Sequence, residues 1–293
     1  MGRRATGMPT IDGLLLVDKP AGCTSHDVVA IARRALRVRR VGHGGTLDPF
    51  ATGLLVLLVG RATRLLPYLE GEPKVYAATV RFGDETDTDD ATGRVVRAAA
   101  VPDRAAVEQA MRGLTGDVEQ VPPAYSAKQV AGQRAHAAAR RGAPLDLAPA
   151  RITVYAWLAH AWREGDVDVM VTCSGGTYVR ALARDLGRAA DSAAHLVALR
   201  RLRSGPFDVR DAGTLDALRG GTAAILPPVA AVPSMPVVVL DADSVRQVRQ
   251  GRGVPAAGAT PGRAALVDNT GALVAVAQRD GDWWHPRTVL PDD

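Results

Sequence analysis

Cysteine is scarce in this chain of 293 residues, with Cys23 and Cys173 the only two. Two thiols exclude a disulfide scaffold of the secreted type and a cysteine-based zinc site. No apolar run approaches the roughly 20 residues that a membrane helix needs. The basic stretch Met1–Gly7 is followed only by the short apolar run Leu14–Val17, so no signal peptide is expected. Together these absences point to a cytoplasmic protein. Lysine is nearly missing as well: Lys19, Lys74 and Lys128 stand against a total of 36 Lys+Arg. In so arginine-biased a chain, a retained lysine marks a place where a guanidinium does not fit. Internal repeats and low-complexity tracts are also absent.

What is present describes an ordinary globular chain, 47% hydrophobic and 23% charged. Its length suits a large domain with a small one attached. The net charge of +5 and pI near 9.6 are moderate, but the arginines are clustered. Arg33, Arg34, Arg37, Arg39 and Arg40 crowd one segment, and Arg200, Arg201 and Arg203 another. Such runs are often solvated faces; two of them beside the motifs below favour a polyanionic partner, most simply nucleic acid.

The stretch Gly42–Gly60 organises the rest. Its first part, Gly-His-Gly-Gly-Thr-Leu-Asp-Pro-Phe-Ala-Thr-Gly, is dense in glycine and carries His43 and Asp48. Its second part, Leu54–Val59, is a continuous apolar run of buried-strand length. A glycine-rich loop at the end of a buried strand can hold one side chain rigidly against a ligand. Asp48, followed by Pro49, has two readings: a turn aspartate that caps backbone amides, or the group that does chemistry.

Along the chain, Gly13–Val17 reads as a buried strand leading to Lys19-Pro20-Ala21-Gly22, with Thr24 or Ser25 capping the next helix. The Lys-Pro turn is either a plain connector or places Lys19 and the helix amides near a phosphate. Arg61–Glu70 reads as a short amphipathic helix. Lys74–Phe82 alternates as a strand with Tyr76, Ala78, Val80 and Phe82 on one face, so Tyr76 is either core or a stacking platform for a base. The acid-rich Gly83–Gly93 fails the register of a calcium loop and reads as an acidic surface loop in which one acid could pair with a site arginine. A basic lobe is inserted at about 124–150. Arg151–His160 and Asp166–Cys173 read as paired strands that lead into Gly176-Thr177-Tyr178-Val179-Arg180 and a helix. Arg180 suits a partner for a buried carboxylate. Beyond the proline-rich stretch 226–236 lies a β-rich module, with a turn at Asp268–Gly271.

In order and spacing, four of these motifs resemble those of the TruB family, the bacterial tRNA pseudouridine synthases that act on uridine 55. They are Lys19-Pro20 with Gly22, Thr24 and Ser25; Gly44–Pro49 with Ala51, Gly53 and Leu54; Lys74-Val75-Tyr76; and Gly176–Arg180. The resemblance covers about residues 11–235. It implies an α+β fold with a mixed, mainly antiparallel central sheet flanked by helices, divided into a catalytic domain 1–235 and a small PUA-like RNA-binding domain 236–293. It further implies that Asp48 acts at C1′ of the target ribose: the glycosidic bond breaks, uracil turns in the pocket, and C5 takes the place of N1. Tyr76 would receive the base, and Arg180 would keep Asp48 ionised. Tyr178 would hold the base or remove the C5 proton. His43, Leu199, Lys19 and Asp90 would contact or line the substrate site, with Asp87 and Asp89 the alternatives to Asp90. The expected substrate is the T-arm of tRNA, with no metal, no cofactor, no membrane and a monomeric chain.

Two rival readings remain. A non-catalytic module that binds structured RNA would leave Asp48 dispensable. A hydrolase would need a water-activating partner for Asp48, for which His43 is the candidate.

Overall fold

The computed structural model describes residues 11–126, 128–130, 132–256 and 262–291. The chain divides into two compact units, one formed by the residues up to Gly71 with those from Pro206 onward, the other by Glu72–Gly205.

The first unit opens with strand Gly13–Lys19 (β1) and helix Ser25–Ala35 (α1). Thr24 caps α1, its hydroxyl accepting the Asp27 amide while Asp27 reaches back to the Thr24 amide. This reciprocal box satisfies two otherwise orphaned donors and fixes where the helix begins. A short strand Val41–His43 (β2) and the strand Thr52–Val59 (β3) follow, and both lie antiparallel within this unit: β1 opposes β3 with Leu16 facing Val56, and β2 opposes β3 with His43 facing Leu57. From Gly53 to Val59 every residue of β3 is buried, which is why the run is continuously apolar rather than alternating. The segment Gly60–Tyr68 is a 3₁₀ helix, tighter than the expected amphipathic helix. Pro67 inside it has no amide for an α-helical ladder.

The second unit is a sheet with helices. Strand Lys74–Phe82 (β4) buries Tyr76, Ala78, Val80 and Phe82 as its alternation predicts. After a hairpin of Asp84–Thr86 (β5) and Val95–Ala98 (β6) come helix Arg104–Gly113 (α2) and strand Gly116–Gln120 (β7). Among the described residues, the inserted lobe holds the short strands Gln129–Val130 (β8) and Gln133–Arg134 (β9) and the one-and-a-half-turn helix Ala135–Arg140 (α3). Strands Ala150–Arg163 (β10) and Asp166–Cys173 (β11), helix Val179–Ala189 (α4) and strand Ala194–Ser204 (β12) complete it. The strands run β12–β4–β11–β10–β7, every neighbouring pair antiparallel.

Returning to the first unit, Phe207–Asp208 (β13) precedes Gly213–Thr214 (β14), which adds to β1 in parallel, and helix Leu215–Arg219 (α5). Residues 237–289 then build their own five-stranded sheet. Its members are Val237–Val239 (β15), Val254–Pro255 (β16), Arg263–Val267 (β17), Leu273–Asp280 (β18) and Trp283–Val289 (β19), ordered β15–β17–β18–β19–β16 around helix Ala242–Arg249 (α6). The turn at Asp268–Gly271 forms as expected, the Asp268 carboxylate accepting the Thr270 and Ala272 amides. Strand β19 has no counterpart in the sequence reading, because Pro286 interrupts its strand pattern. Trp284 anchors it, only 1% exposed.

This module is not a loosely tethered appendage. Ala265, Val267, Leu273, Val276 and Leu290 share one apolar cluster with Leu14, Leu16, Leu54, Val56 and Leu58. Arg64 donates to the Val289 carbonyl at 2.8 Å, and the Tyr68 hydroxyl meets Thr288 at 2.8 Å. The units found by packing therefore do not follow the expected division at 235/236, since burial joins segments that the sequence separates.

Candidate active site

Asp48 stands half-buried in its loop, and the residues on either side of it are pinned. The Ser25 hydroxyl, 1% exposed, accepts the Leu47 amide at 2.9 Å and donates to the Leu47 carbonyl at 3.2 Å. The Pro49 carbonyl accepts the Gly22 amide at 2.8 Å and the Lys19 ammonium at 3.3 Å. Because Thr24 takes the capping role, Ser25 is left to serve as this staple. The glycines have steric work to do here: Gly45 sits at φ +130°, and a side-chain carbon on Gly44 would fall 2.0 Å from Leu69.

Lys19 belongs to the same network. Its side chain is fully buried, and its ammonium also donates to the Pro20 and Cys23 carbonyls at 2.8 Å each. With three carbonyls as partners, the ammonium ties the Lys-Pro turn to the segment after Asp48. The site does explain the lysine: a compact cation with three donors fits where a planar guanidinium would not. His43 ends β2 half-buried, its ring 5.6 Å from that of His26 in an edge-on arrangement.

In the other unit, Tyr76 and Leu199 occupy neighbouring strands, Tyr76 paired with Arg201 and Leu199 with Ala78. Both are nearly buried, at 6% and 7% exposure. Tyr178 is the N-cap residue of α4. The Gln120 side chain grips its backbone twice, accepting the Tyr178 amide at 2.9 Å and donating to its carbonyl at 3.1 Å. Gln120 carried no signal in the sequence beyond being a polar residue at a strand end.

Arg180, 4% exposed, donates to the Thr88 carbonyl at 3.0 Å and the Tyr125 carbonyl at 3.1 Å, and stands 3.5 Å from the Asp90 carboxylate. Among the three acids left open by sequence, Asp90 is thus the one beside Arg180. Asp89 pairs with Arg184 at 2.9 Å, and Asp87 faces the exposed Arg94 at 3.4 Å. Thr88 and Thr92 hydroxyls donate to Asp90 Oδ1 and hold its carboxylate still.

The acidic loop is not the surface feature expected, although one of its acids, Asp90, does pair with a site arginine. Glu85, Asp89 and Asp90 are 4–6% exposed and face arginines, chiefly from α4. Burying several carboxylates is tolerable only with such partners. Burial pushes the Asp89 carboxyl up to about 6, against the opposing pull of Arg184 and Arg180. The second arginine cluster is likewise no simple surface patch: it lies on β12, with Arg201 1% exposed and Arg203 exposed. In the first cluster all five arginines are exposed, and Arg33 also donates to the Val41 carbonyl at 3.0 Å.

Two solved structures share this architecture. One is a chain of an H/ACA ribonucleoprotein bound to a substrate RNA containing 2′-deoxyuridine: TM-score 0.71 and 25% identity, covering 96% of this chain and 85% of that one. Another belongs to a Cbf5–Nop10–Gar1 complex, with TM-score 0.70, 26% identity and coverage of 95% and 85%. The shared fold is that of the pseudouridine synthases, a mixed α+β catalytic scaffold with a β-rich C-terminal domain. Residues 33–179 match the TruB family pseudouridylate synthase (N terminal domain), and residues 180–224 match the tRNA pseudouridylate synthase B C-terminal domain. The tRNA pseudouridine synthase B of Thermobifida fusca is 46% identical, covering 95% of this chain and 98% of that protein; its counterpart in Rhodococcus jostii is 48% identical, covering 92% and 90%. The chain belongs to the TruB family of pseudouridine synthases and is an enzyme, an isomerase.

Proposed function

We propose that this enzyme converts uridine 55 in the T-loop of tRNA to pseudouridine, with Asp48 acting at C1′ of the ribose. The observation that carries the assignment is the Asp48 loop, in which the peptide groups on both sides of the aspartate are tied down while its side chain remains half-buried. Preorganisation of this kind suits a group that must meet one carbon atom without rearranging. The C1′–N1 bond breaks, the uracil turns, C1′ bonds to C5, the C5 proton leaves and N1 takes up a proton, so substrate and product are isomers.

A base inside a folded RNA loop must leave its stack before such chemistry. Tyr76, with Leu199 on the adjacent strand, offers the flipped base an apolar face, and Tyr178 holds it or receives the C5 proton. Arg180 supplies the positive charge that keeps the catalytic carboxylate ionised, and Asp90 sets the aim of that arginine. His43 contacts the RNA backbone. Arg34, Arg37, Arg39 and Arg40 supply an exposed basic surface for phosphates, and the module 236–293 serves as a PUA-like RNA-binding domain. The protein works as a cytoplasmic monomer.

The deciding assay is tritium release from 5-tritiated uridine in a T-stem-loop transcript. Wild type should release tritium in proportion to product, and Asp48→Asn should release none above background while still binding the RNA. Equal release by both proteins overturns the role of Asp48. Binding without release by wild type favours a non-catalytic RNA-binding protein. Tyr76→Leu should cripple turnover with little change in melting temperature; full activity would reduce Tyr76 to core.

A further inference from the structure

Helix α4 carries arginines at 180, 184 and 188, spaced one turn apart along one face. Each meets a different acid: Arg180 stands 3.5 Å from Asp90, while Arg184 donates to Asp89 at 2.9 Å and Arg188 to Glu85 at 2.9 Å. The first pair holds the arginine proposed to act in the reaction. The second has no place in that chemistry, yet it sits next to the first in both sequence and space.

Asp89 and Asp90 are adjacent, and in an extended chain successive side chains point to opposite sides. Here both carboxylates face the same helix. That is achieved by Asp89 adopting φ +58°, a left-handed conformation that residues other than glycine rarely take. The Leu196 amide holds the Asp89 carbonyl at 3.1 Å, and Arg184 holds its side chain. Arg184 is itself fixed, donating to the Val121 carbonyl and to Asp185 at 2.9 Å each. We infer that the Asp89–Arg184 ion pair is a positioning device: it locks the left-handed turn that brings Asp90 against Arg180. The inference rests on the role proposed for Arg180.

The charged groups around the Asp89 carboxylate are Arg184, Arg180 and Asp185 from α4 and Glu85 from β5. The pair is intact at neutral pH and loses its negative partner as pH falls through about 6, where burial has raised the carboxyl.

Two variants separate the ion pair from the turn. Asp89→Gly permits the turn without strain, since glycine adopts this φ freely, but removes the carboxylate that locks it in place. Asp89→Asn keeps the shape and removes the charge. In single-turnover tritium release at pH 7, both should be slowed tenfold or more, with affinity for the T-stem-loop within twofold of wild type. Wild type should slow as pH drops from 7 to 5, and Asp89→Asn should lack that acid limb. Either variant at the wild-type rate, or an unchanged acid limb in Asp89→Asn, overturns the inference. Should both variants fail to fold, Arg184→Lys, which keeps the charge but not the fork, must also be slowed. A wild-type rate that is flat between pH 7 and 5 overturns the inference without any variant. Wild-type protein that binds RNA and releases no tritium at any pH refutes the proposed function instead.

Discussion

Around Asp48 the fold relies on backbone groups, one hydroxyl and one enclosed ammonium. Around Arg180 it relies on a ladder of buried acids, Asp90, Asp89 and Glu85, against three arginines of α4, two of them buried and Arg188 exposed. The first arrangement sets a single charged group, the Lys19 ammonium, among backbone carbonyls. The second concentrates ionised groups out of water, where each is stable only while its partner remains. Rigidity at the loop should therefore be indifferent to pH, and rigidity at the ladder should depend on it.

The largest effects test that contrast directly. Asp48→Asn should lower turnover by roughly three orders of magnitude or more while shifting stability by less than about 1 kcal/mol, because the amide keeps the size and shape of the carboxylate. Arg180→Met should reduce turnover by about a hundredfold and also cost about 3–5 kcal/mol, because Asp90 is left buried without its cation. Urea unfolding beside single-turnover kinetics reads both quantities. A stable Arg180→Met protein would break the comparison by showing that the ladder is dispensable to the fold.

Ser25→Ala is the matching probe of the loop. Removing the hydroxyl leaves the buried Leu47 amide without this acceptor, at a cost of about 2 kcal/mol, and loosens the backbone beside Asp48. Turnover should fall about tenfold by the same factor at pH 6 and pH 8. A loss confined to one end of that range would mean that the loop also depends on a titrating group.

Much of this was legible in the sequence where local chemistry decides the outcome. The apolar run Leu54–Val59, the alternation of β4 and the Asp268 turn each announce themselves through spacing alone. The Gly44–Pro49 motif marked the loop, but its anchors were hidden, because Ser25 and Lys19 reach it from 22 and 30 residues away. The acidic segment misled for a related reason. Five acids in eleven residues look solvent-exposed until the arginines that neutralise three of them arrive from a helix about a hundred residues downstream. The one local clue was the repeat of arginine at 180, 184 and 188, which places three cations on a single face of a helix. The C-terminal module shows the same limit: its strands were partly readable, whereas its shared core with β1 and β3 is a matter of packing alone.

The smallest effect is the most specific to the ladder. A carboxyl raised from 3.8 to about 6 binds its proton more tightly in the folded protein than in the unfolded chain. The folded state therefore gains stability from Asp89 as pH falls through 6, and the gain is complete below 3.8. Between pH 7 and pH 5 it amounts to about 1 kcal/mol. Asp168 has the opposite sign: hydrogen bonds from Arg163 and Thr79 hold it at about 2, so its contribution is present above 3.8 and is lost as pH falls toward 2. The two windows do not overlap; Asp185, also raised by burial, shares the Asp89 window, so the Asp89 contribution is read by difference against Asp89→Asn. Over that window the Asp89 contribution to stability should rise while single-turnover activity falls, since the proton that relieves the buried charge also breaks the pair that aims Arg180. Subtracting the urea midpoints of Asp89→Asn from those of wild type at each pH reads the stability component alone. If that difference is flat from pH 7 to pH 4, the Asp89 carboxyl is not strained by burial, and the ladder is no more sensitive to pH than the loop.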